Sequence, residues 1–220
     1  MGYPLLPPCG RLSALTAAIT LVLVKHEKKN SVPGPRERIV YTAVQHLREH
    51  GVEGTGLRQL VADADAPWGS LRHYFPGGKT QIVDEALEWA GAYAASLVTD
   101  YLEAARRPTP EGLLHAIFDW WVKDLARRNF ARGCPVAAAV ADAGESGTGC
   151  EAARLAFEVW ATPIKAGLVE MGRPAREAGE LATLLLAGLE GAVIMSRAQH
   201  SVNPLKIVER RLRPLFTSPE

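Results

Sequence analysis

The chain has 220 residues, of which 47% are hydrophobic and 22% charged, a balance that supplies a buried core and excludes a largely disordered protein. Its formal net charge is only +1, which excludes a polycation, so any nucleic-acid binding must come from a local patch. The length fits one domain, or one small domain fused to a larger helical one.

Residues 1–32 are interpreted as an N-terminal extension. They contain an apolar run at residues 12–24, followed by Lys25, Lys28 and Lys29. This run is shorter than the roughly 20 residues of a membrane-spanning helix, and it lacks the basic leader and small-residue cleavage site of a signal peptide. One interpretation is a start codon assigned too early, with Val32 as the true initiator; a membrane anchor is the alternative.

The rest of the chain predicts an all-α protein. Apolar residues recur at helical spacing, glycines and prolines separate the segments, and no segment alternates like a strand. A head at residues 33–79 is expected to carry three helices, and a larger helical body is expected at residues 80–220. The predicted helices are 36–50, a helix that follows Thr55, 68–75, 79–105, 111–128, 133–143, 150–171, 174–200 and 204–216.

Residues 55–79, TGLRQLVADADAPWGSLRHYFPGGK, predict a helix-turn-helix, a motif that places its second helix in the major groove of DNA. Thr55 is expected to cap the first helix of the motif by accepting an amide hydrogen bond, and residues 64–67 form the turn. Leu71 and Phe75 are four residues apart and can face inward. The outward residues are then Trp68, Gly69, Ser70, Arg72 and His73.

Contacts to bases are predicted for Trp68, Gly69, Ser70 and Arg72, with Arg58 as a helper from the preceding helix. Arg72 can donate a bidentate pair to guanine, worth about 1–3 kcal/mol of discrimination. Phosphate contacts are predicted for Thr55, His73, Tyr74 and Lys79. Residues 36–79 hold six cationic and five anionic side chains, so arrangement and dimer formation must matter more than total charge. The alternative is a helical hairpin with no role in DNA binding.

The same stretch resembles the TetR family of bacterial transcriptional repressors. The matching residues are Gly51, Thr55, Leu57, Arg58, Ala64, Gly69, Ser70, Leu71, His73, Tyr74, Phe75 and Lys79. The link at residues 76–79 and the sequence Gly-Cys-Pro-Val at residues 133–136 resemble the branch that contains lincomycin-resistance-type repressors. The resemblance implies a homodimer whose two heads bind the half-sites of a palindromic operator, and a ligand in the body that releases the double-stranded DNA.

Two residues depart from the family pattern. Arg72 stands where the family usually has Tyr, which shifts the expected base preference toward guanine. Asp65 stands where the turn usually has Gly, and Asp tolerates a left-handed backbone better than most residues.

Aromatic residues of the body predict either core packing or a pocket for a small hydrophobic or aromatic effector. Trp120 and Trp121 are consecutive and cannot both face the same way, so one is expected to face a cavity or a partner subunit. His115, Asp119 and Glu158 are candidate polar anchors, and surface placement is the alternative for them. The candidate pocket residues are Trp89, Tyr93, Phe118, Trp120, Trp121, Phe157 and Trp160, with Met171 nearby in the sequence.

The last two helices predict a dimer surface, because small residues at 187–192 allow a close approach between helices. Two such helices from each subunit would form a four-helix bundle across a two-fold axis. Packing within one chain is the alternative. The candidate interface residues are Leu184, Gly188, Gly191, Ala192 and Met195.

Other functional classes find little support in the sequence. Cys9, Cys134 and Cys150 have no metal-binding spacing and predict reduced thiols in a cytoplasmic protein; a redox pair of Cys134 and Cys150 is the alternative. No GxSxG, HExxH, P-loop or post-strand GxGxxG motif occurs, so no catalytic residue, metal or cofactor is predicted. An enzyme, and a helical interaction protein without DNA binding, remain the alternative classes.

Overall fold

A computed structural model of the chain describes residues 33–143 and 147–217; the N-terminal extension, with its apolar run, lies outside the described residues. The described part is helical and contains no strand, which confirms the all-α prediction. The predicted bounds agree with the observed ones to within a residue or two. The helices are α1 (Pro35–His50), α2 (Leu57–Asp63), α3 (Trp68–Tyr74), α4 (Gly78–Ala104), α5 (Pro110–Arg127), α6 (Pro135–Asp142), α7 (Cys150–Glu170), α8 (Ala175–Gln199) and α9 (Asn203–Phe216).

Proline and glycine set several of these bounds, as the sequence predicts. Pro35, Pro110 and Pro135 each open a helix, where a missing amide hydrogen costs nothing. Gly51 follows α1 with φ at 70°, and its amide donates to the carbonyl oxygen of Leu47. The cap predicted for Thr55 is wrong, because Gly56 takes the capping position of α2 and makes no side-chain bond there.

One apolar cluster extends through the whole described fold. In the head, which consists of α1, α2 and α3, it includes Ile39, Leu60 and Phe75. Helix α4 continues this cluster through Ile82 and Leu87 into the body, which comprises α4 to α9. The proposed division between residues 79 and 80 therefore falls inside the first turn of α4, and it stays a prediction.

The body is built around three close helix pairs. Helix α4 packs on α7 at Gly91, where an added Cβ would lie 2.7 Å from the Cα of Ala156. Helix α8 packs on α9 and α7 through buried residues such as Leu185 and Leu189. Among the described helices, α8 alone is long and apolar enough to cross a membrane by length and composition. The apolar composition of α8 is explained by its position in the fold, because one face packs in the core and part of the other face forms an exposed apolar stripe.

Candidate DNA-binding surface and ligand cavity

Arg38 of α1 holds the turn between α2 and α3. Its Nε donates to the carbonyl oxygen of Ala64 (2.9 Å), and its Nη2 donates to that of Asp65 (2.5 Å). Asp65 has φ at 47°, the left-handed conformation expected where the family usually has Gly. In the sequence Arg38 is only one of the six cationic side chains of residues 36–79, because its structural role depends on a contact that spans 26 residues.

Internal contacts also occupy two further cations of the head. Arg36 forms an ion pair with Glu85 (2.7 Å) and lies over the ring of Phe75, while Arg48 is buried. The cations of residues 36–79 that remain exposed or half-buried at the candidate DNA-binding surface are Arg58, Arg72 and Lys79. The net charge of residues 36–79 therefore does not show which of their cations are available to DNA and which are used inside the protein.

Helix α3 divides into the two faces that the sequence predicts. Leu71 and Phe75 are buried, and they fix the helix on the scaffold. Trp68 is 54% exposed, and Arg72 is also exposed. Gly69 is exposed, Ser70 is half-buried with its hydroxyl donating to the carbonyl oxygen of Pro67 (2.6 Å), and Arg58 is exposed on α2. All five candidate base-contacting residues thus retain access to solvent, and their base contacts stay a prediction.

The structure corrects one of the four candidate phosphate contacts. Thr55 is only 2% exposed, and its hydroxyl donates to the carbonyl oxygen of Gly51 (2.6 Å), so this side chain presents no surface to a phosphate. His73 is exposed and packs edge-on against half-buried Tyr74. Lys79 lies in the first turn of α4 with its ammonium 3.4 Å from the carbonyl oxygen of Glu53. The phosphate contacts of these three residues stay a prediction.

A cavity of about 280 Å³ lies between α1, α4, α5, the start of α6 and Trp160 of α7. Five of the seven candidate pocket residues line it: Trp89, Tyr93, Trp120, Trp121 and Trp160. Tyr41, Trp89, Tyr93, Trp120 and Trp121 form a continuous series of ring contacts, with centroid separations of 5.6, 5.2, 6.2 and 5.1 Å. We call this series the aromatic chain, and it connects α1 of the head to α5 of the body.

Two candidate pocket residues lie elsewhere. Phe118 is fully buried in the core, and Phe157 is half-buried on α7 outside the cavity lining, as is Met171 beyond the end of that helix. Trp120 and Trp121 both line the cavity, as the list of candidate pocket residues has it, although the two positions face different ways on the helix. Their rings meet edge to face at 83°, so that adjacent helix positions border different parts of one broad cavity.

The three candidate polar anchors do not line the cavity, which favours their alternative placement outside it, and each is paired with a neighbour. His115 contacts Glu209 (2.8 Å), Asp119 pairs with Lys123 (2.6 Å), and Glu158 pairs with Arg154 (2.5 Å). The polar end of the cavity consists instead of Gln45, Arg48, Asp124 and Arg128. Burial raises the pKa of Tyr93, which contributes its ring to the same cavity.

Residues of α1 in the cavity wall were missed by the sequence analysis. Tyr41, Val44, Gln45 and Arg48 follow helical spacing beside the apolar stripe of α1 and line the cavity together. That spacing was a usable signal, since it places a tyrosine and an arginine two turns apart on one helix face. The head therefore contributes directly to the wall of the cavity.

The last turn of α1 is bonded to the body at several points. Arg48 donates through Nε to the carbonyl oxygen of Gly133 (2.9 Å), and the amide of Gly133 donates back to the carbonyl oxygen of Arg48 (2.9 Å). Arg132 pairs with Glu49. Just beyond α1, the amide of Val52 donates to Asp142 in α6 (2.7 Å).

An apolar stripe is exposed along α8, at the spacing of three and four residues that packs against another helix. Ile194 is 61% exposed and Met195 52% exposed. Leu184 and Gly191, which were predicted to lie at a dimer interface, are exposed on the same stripe. We call this surface the α8 stripe; it consists of Leu184, Ala187, Gly191, Ile194, Met195 and Ala198.

Two of the candidate interface residues face their own chain. A Cβ added at Gly188 would lie 3.1 Å from Val208 and 3.3 Å from Leu212, so this glycine permits the close approach of α9. Ala192 is 1% exposed and belongs to the core. The small residues of α8 therefore serve packing within the chain as well as the exposed stripe.

Glu190 carries a buried carboxylate on α8. The stem of the side chain is partly exposed, but both carboxylate oxygens are buried, and no donor in the described part of the chain meets them at hydrogen-bond geometry. The thiol of Cys134, a weak donor, is a polar neighbour of this carboxylate. Burial raises the pKa of Glu190 to about 7, and burial together with the Glu190 carboxylate raises the pKa of Cys134.

Sequence comparisons identify relatives along most of the chain. Residues 110–211 match the family profile described as "Transcriptional regulator LmrA/YxaF-like, C-terminal domain". An uncharacterized HTH-type transcriptional regulator of Mycobacterium tuberculosis is 34% identical over 192 residues, which cover 83% of this chain and 94% of that protein. The HTH-type transcriptional regulator LmrA of Bacillus subtilis is 30% identical over 175 residues, which cover 77% of this chain and 90% of that protein.

Solved structures share the fold at lower sequence identity. A TetR transcriptional regulator from Legionella pneumophila gives a TM-score of 0.73 at 16% identity, over 86% of this chain and 100% of that chain. The TetR family regulator CifR, as a cysteine mutant in complex with a 26-base-pair operator DNA, gives 0.64 at 19% identity, over 87% of this chain and 100% of that chain. Together with the helix-turn-helix geometry, these relatives show that the chain belongs to the TetR family of DNA-binding transcriptional regulators, in the branch of LmrA and YxaF.

Proposed function

We propose that the protein is a ligand-released repressor whose helix α3 contacts base edges in the major groove of its operator. The observation that carries this proposal is the exposed pair of Trp68 and Arg72, four residues apart on α3, while Leu71 and Phe75 are buried and hold the helix on the scaffold. No atom lies within 4 Å of a Cβ added at Gly69, so the backbone can approach the groove floor there. Arg72 supplies the donor pair that matches guanine.

Dimer formation would give the operator its symmetry. The α8 stripe offers Leu184, Ile194 and Met195 as an exposed apolar surface for a second copy of the chain. Two identical heads related by a two-fold axis would then bind palindromic half-sites about 34 Å apart, one turn of the DNA helix.

The effector would occupy the cavity, because its walls are mostly aromatic and its polar end holds a few convergent groups. Tyr41 and Arg48 belong to α1, so a ligand that displaces them changes how the head is held on the body. The protein would act by binding rather than by catalysis, in the cytoplasm where the operator DNA is located.

The test uses the full-length chain and fluorescence anisotropy with DNA from its own upstream region and with a shuffled sequence. We expect preferential binding to the upstream DNA, and we expect Arg72→Ala to reduce the discrimination at one operator position by about 1–3 kcal/mol. Arg154→Ala, on the exposed face of α7, is the matched control and should leave binding unchanged. Equal affinity of the wild-type chain for the two DNA sequences would contradict the proposal.

A further inference from the structure

We propose that the effector is an aromatic acid, whose rings pack along the aromatic chain and whose anionic oxygens bind between Arg48 and Arg128. This inference rests on the cavity being the effector site and specifies the chemical class that it accepts. It follows from the supply of hydrogen-bond donors at the polar end of the cavity, from the charge there, and from the shape of the apolar part.

The charge at the polar end of the cavity favours an anion. Among the described lining residues, the charged ones are Arg48, Asp124 and Arg128, which leaves an excess of one positive charge. Asp124 already accepts a hydrogen bond from Arg48. The Nε atom of Arg128 is 3.8 Å from Asp124, beyond hydrogen-bond distance, and the Arg128 side chain is 42% exposed. A cationic effector would meet this excess charge unfavourably, whereas an anionic oxygen would neutralise it.

Donors also outnumber acceptors at this end of the cavity. Arg48 uses Nε for Gly133 and Nη2 for Asp124, so within the described part of the chain its Nη1 makes no hydrogen bond. Gln45 accepts from Arg132 through Oε1 (2.8 Å), which leaves its amide nitrogen as a donor. A guanidinium and an amide nitrogen can only donate, so their natural complement is an acceptor-rich group such as a carboxylate.

The apolar part of the cavity suits a flat ring system. Trp89 and Tyr93 are stacked with an interplanar angle of 9°, and Tyr41 and Trp120 meet this stack edge-on. A dry cavity of about 150 Å³ is enough to bind benzene, so the volume of about 280 Å³ here accommodates two fused rings. The ligand class that matches both ends is therefore a bicyclic aromatic carrying one carboxylate.

The test compares two probes of nearly the same shape, naphthoate and its neutral amide, naphthamide. Binding to the full-length chain is followed by quenching of the intrinsic fluorescence of the cavity tryptophans at constant ionic strength. We expect naphthoate to bind the wild-type chain about tenfold more tightly than naphthamide. Arg128→Gln should bring the ratio of the two affinities close to one by weakening naphthoate alone. Arg127→Gln, at the exposed neighbouring position, is the control and should leave the ratio unchanged.

Three outcomes would overturn the inference: naphthamide binding as tightly as naphthoate, Arg128→Gln weakening both probes equally, or neither probe binding the wild-type chain. Anisotropy with the upstream DNA is measured without probe on the same preparations. Because that measurement does not depend on the cavity, failure of the DNA-binding proposal is distinguished from failure of the aromatic-acid inference.

Discussion

The guanidinium of Arg48 and the carboxylate of Asp124 form a buried ion pair that joins the last turn of α1 to α5. The two side chains are 9% and 7% exposed, and the guanidinium also lies over the ring of Trp121, with Cζ 5.7 Å from the ring centroid. The pair thus connects the helix-turn-helix head to a wall of the cavity. Any ligand group that competes for Arg48 acts directly on the attachment of the head.

Breaking this ion pair from one side should destabilise the fold strongly. Arg48→Met leaves the Asp124 carboxylate buried without its hydrogen-bonded partner and with only half-exposed Arg128 nearby, so we expect the free energy of unfolding to fall by about 3 kcal/mol in urea titrations. Asp124→Leu should have a similar effect, because it leaves the Arg48 guanidinium buried without its carboxylate partner. The double variant removes both charges and should recover much of the loss, since it leaves no unpaired buried charge.

An exposed pair provides the comparison. Arg176 bonds to Glu180 on the surface of α8, with its side chain 92% exposed, and Arg176→Met should change the free energy of unfolding by less than about 1 kcal/mol. If the effects of Arg48→Met and Asp124→Leu simply add in the double variant, the two side chains are not energetically coupled and the interpretation is wrong.

Lys79 and Arg72 should differ in how they affect DNA binding. Lys79→Ala removes the predicted phosphate contact, so it should weaken binding about equally for all operator variants and reduce the slope of log affinity against log salt by about one. Arg72→Ala should instead alter the preference among bases at one position. Anisotropy titrations at several salt concentrations separate the two effects. A change of base preference in Lys79→Ala would show that its contact is not to the backbone.

The α8 stripe can be tested through oligomeric state. Ile194→Asp places a charge on the α8 stripe, at a side chain that is 61% exposed, and it should convert a dimer to a monomer of about 24 kDa, the mass of one chain, in light scattering. The operator affinity should fall with it, because each head alone binds one half-site. Leu155→Asp, at an exposed apolar position on α7, is the control and should remain dimeric. A dimer that survives Ile194→Asp would locate the interface elsewhere.

The sequence predicts the helices and the faces of α3 well because those features depend on local signals. Pro110 and Gly51 mark helix ends, and the spacing of Leu71 and Phe75 fixes which face of α3 is buried. The hydroxyl of Thr55 illustrates the limit, since it can cap α2 or bond back to Gly51, and its position in the sequence does not decide between them.

The polar end of the cavity could not be predicted for a different reason. Arg48 and Asp124 are 76 residues apart, and their contact exists only once α1 packs against α5. A pattern of spacing within one helix carries no information about such a partner. The same holds for Arg38, whose bonds to the turn depend on how α1 crosses α2 and α3.

The buried carboxylate of Glu190 should make stability depend on pH near neutrality. Burial raises its pKa to about 7 in the folded chain, from 4.5 for an ordinary glutamate, so between these values the folded state holds a proton that the unfolded state releases. The contribution of Glu190 to the free energy of unfolding should therefore be greatest below about pH 4.5, and it should fall as the pH rises toward 7. Linkage sets the full loss at about 3 kcal/mol.

The Glu190→Gln variant cannot ionise and should lack this dependence. Urea titrations should show that the free energy of unfolding of Glu190→Gln rises relative to that of the wild-type chain as the pH increases from about 4.5 to about 7. Above about pH 7 the difference between the two chains should stay constant. Glu158→Gln, with its side chain 58% exposed, is the control and should follow the wild-type curve to within a few tenths of a kcal/mol. Parallel curves for Glu190→Gln and the wild-type chain would mean that the carboxylate is hydrated or paired in solution, because only an isolated buried carboxyl resists ionisation near neutral pH.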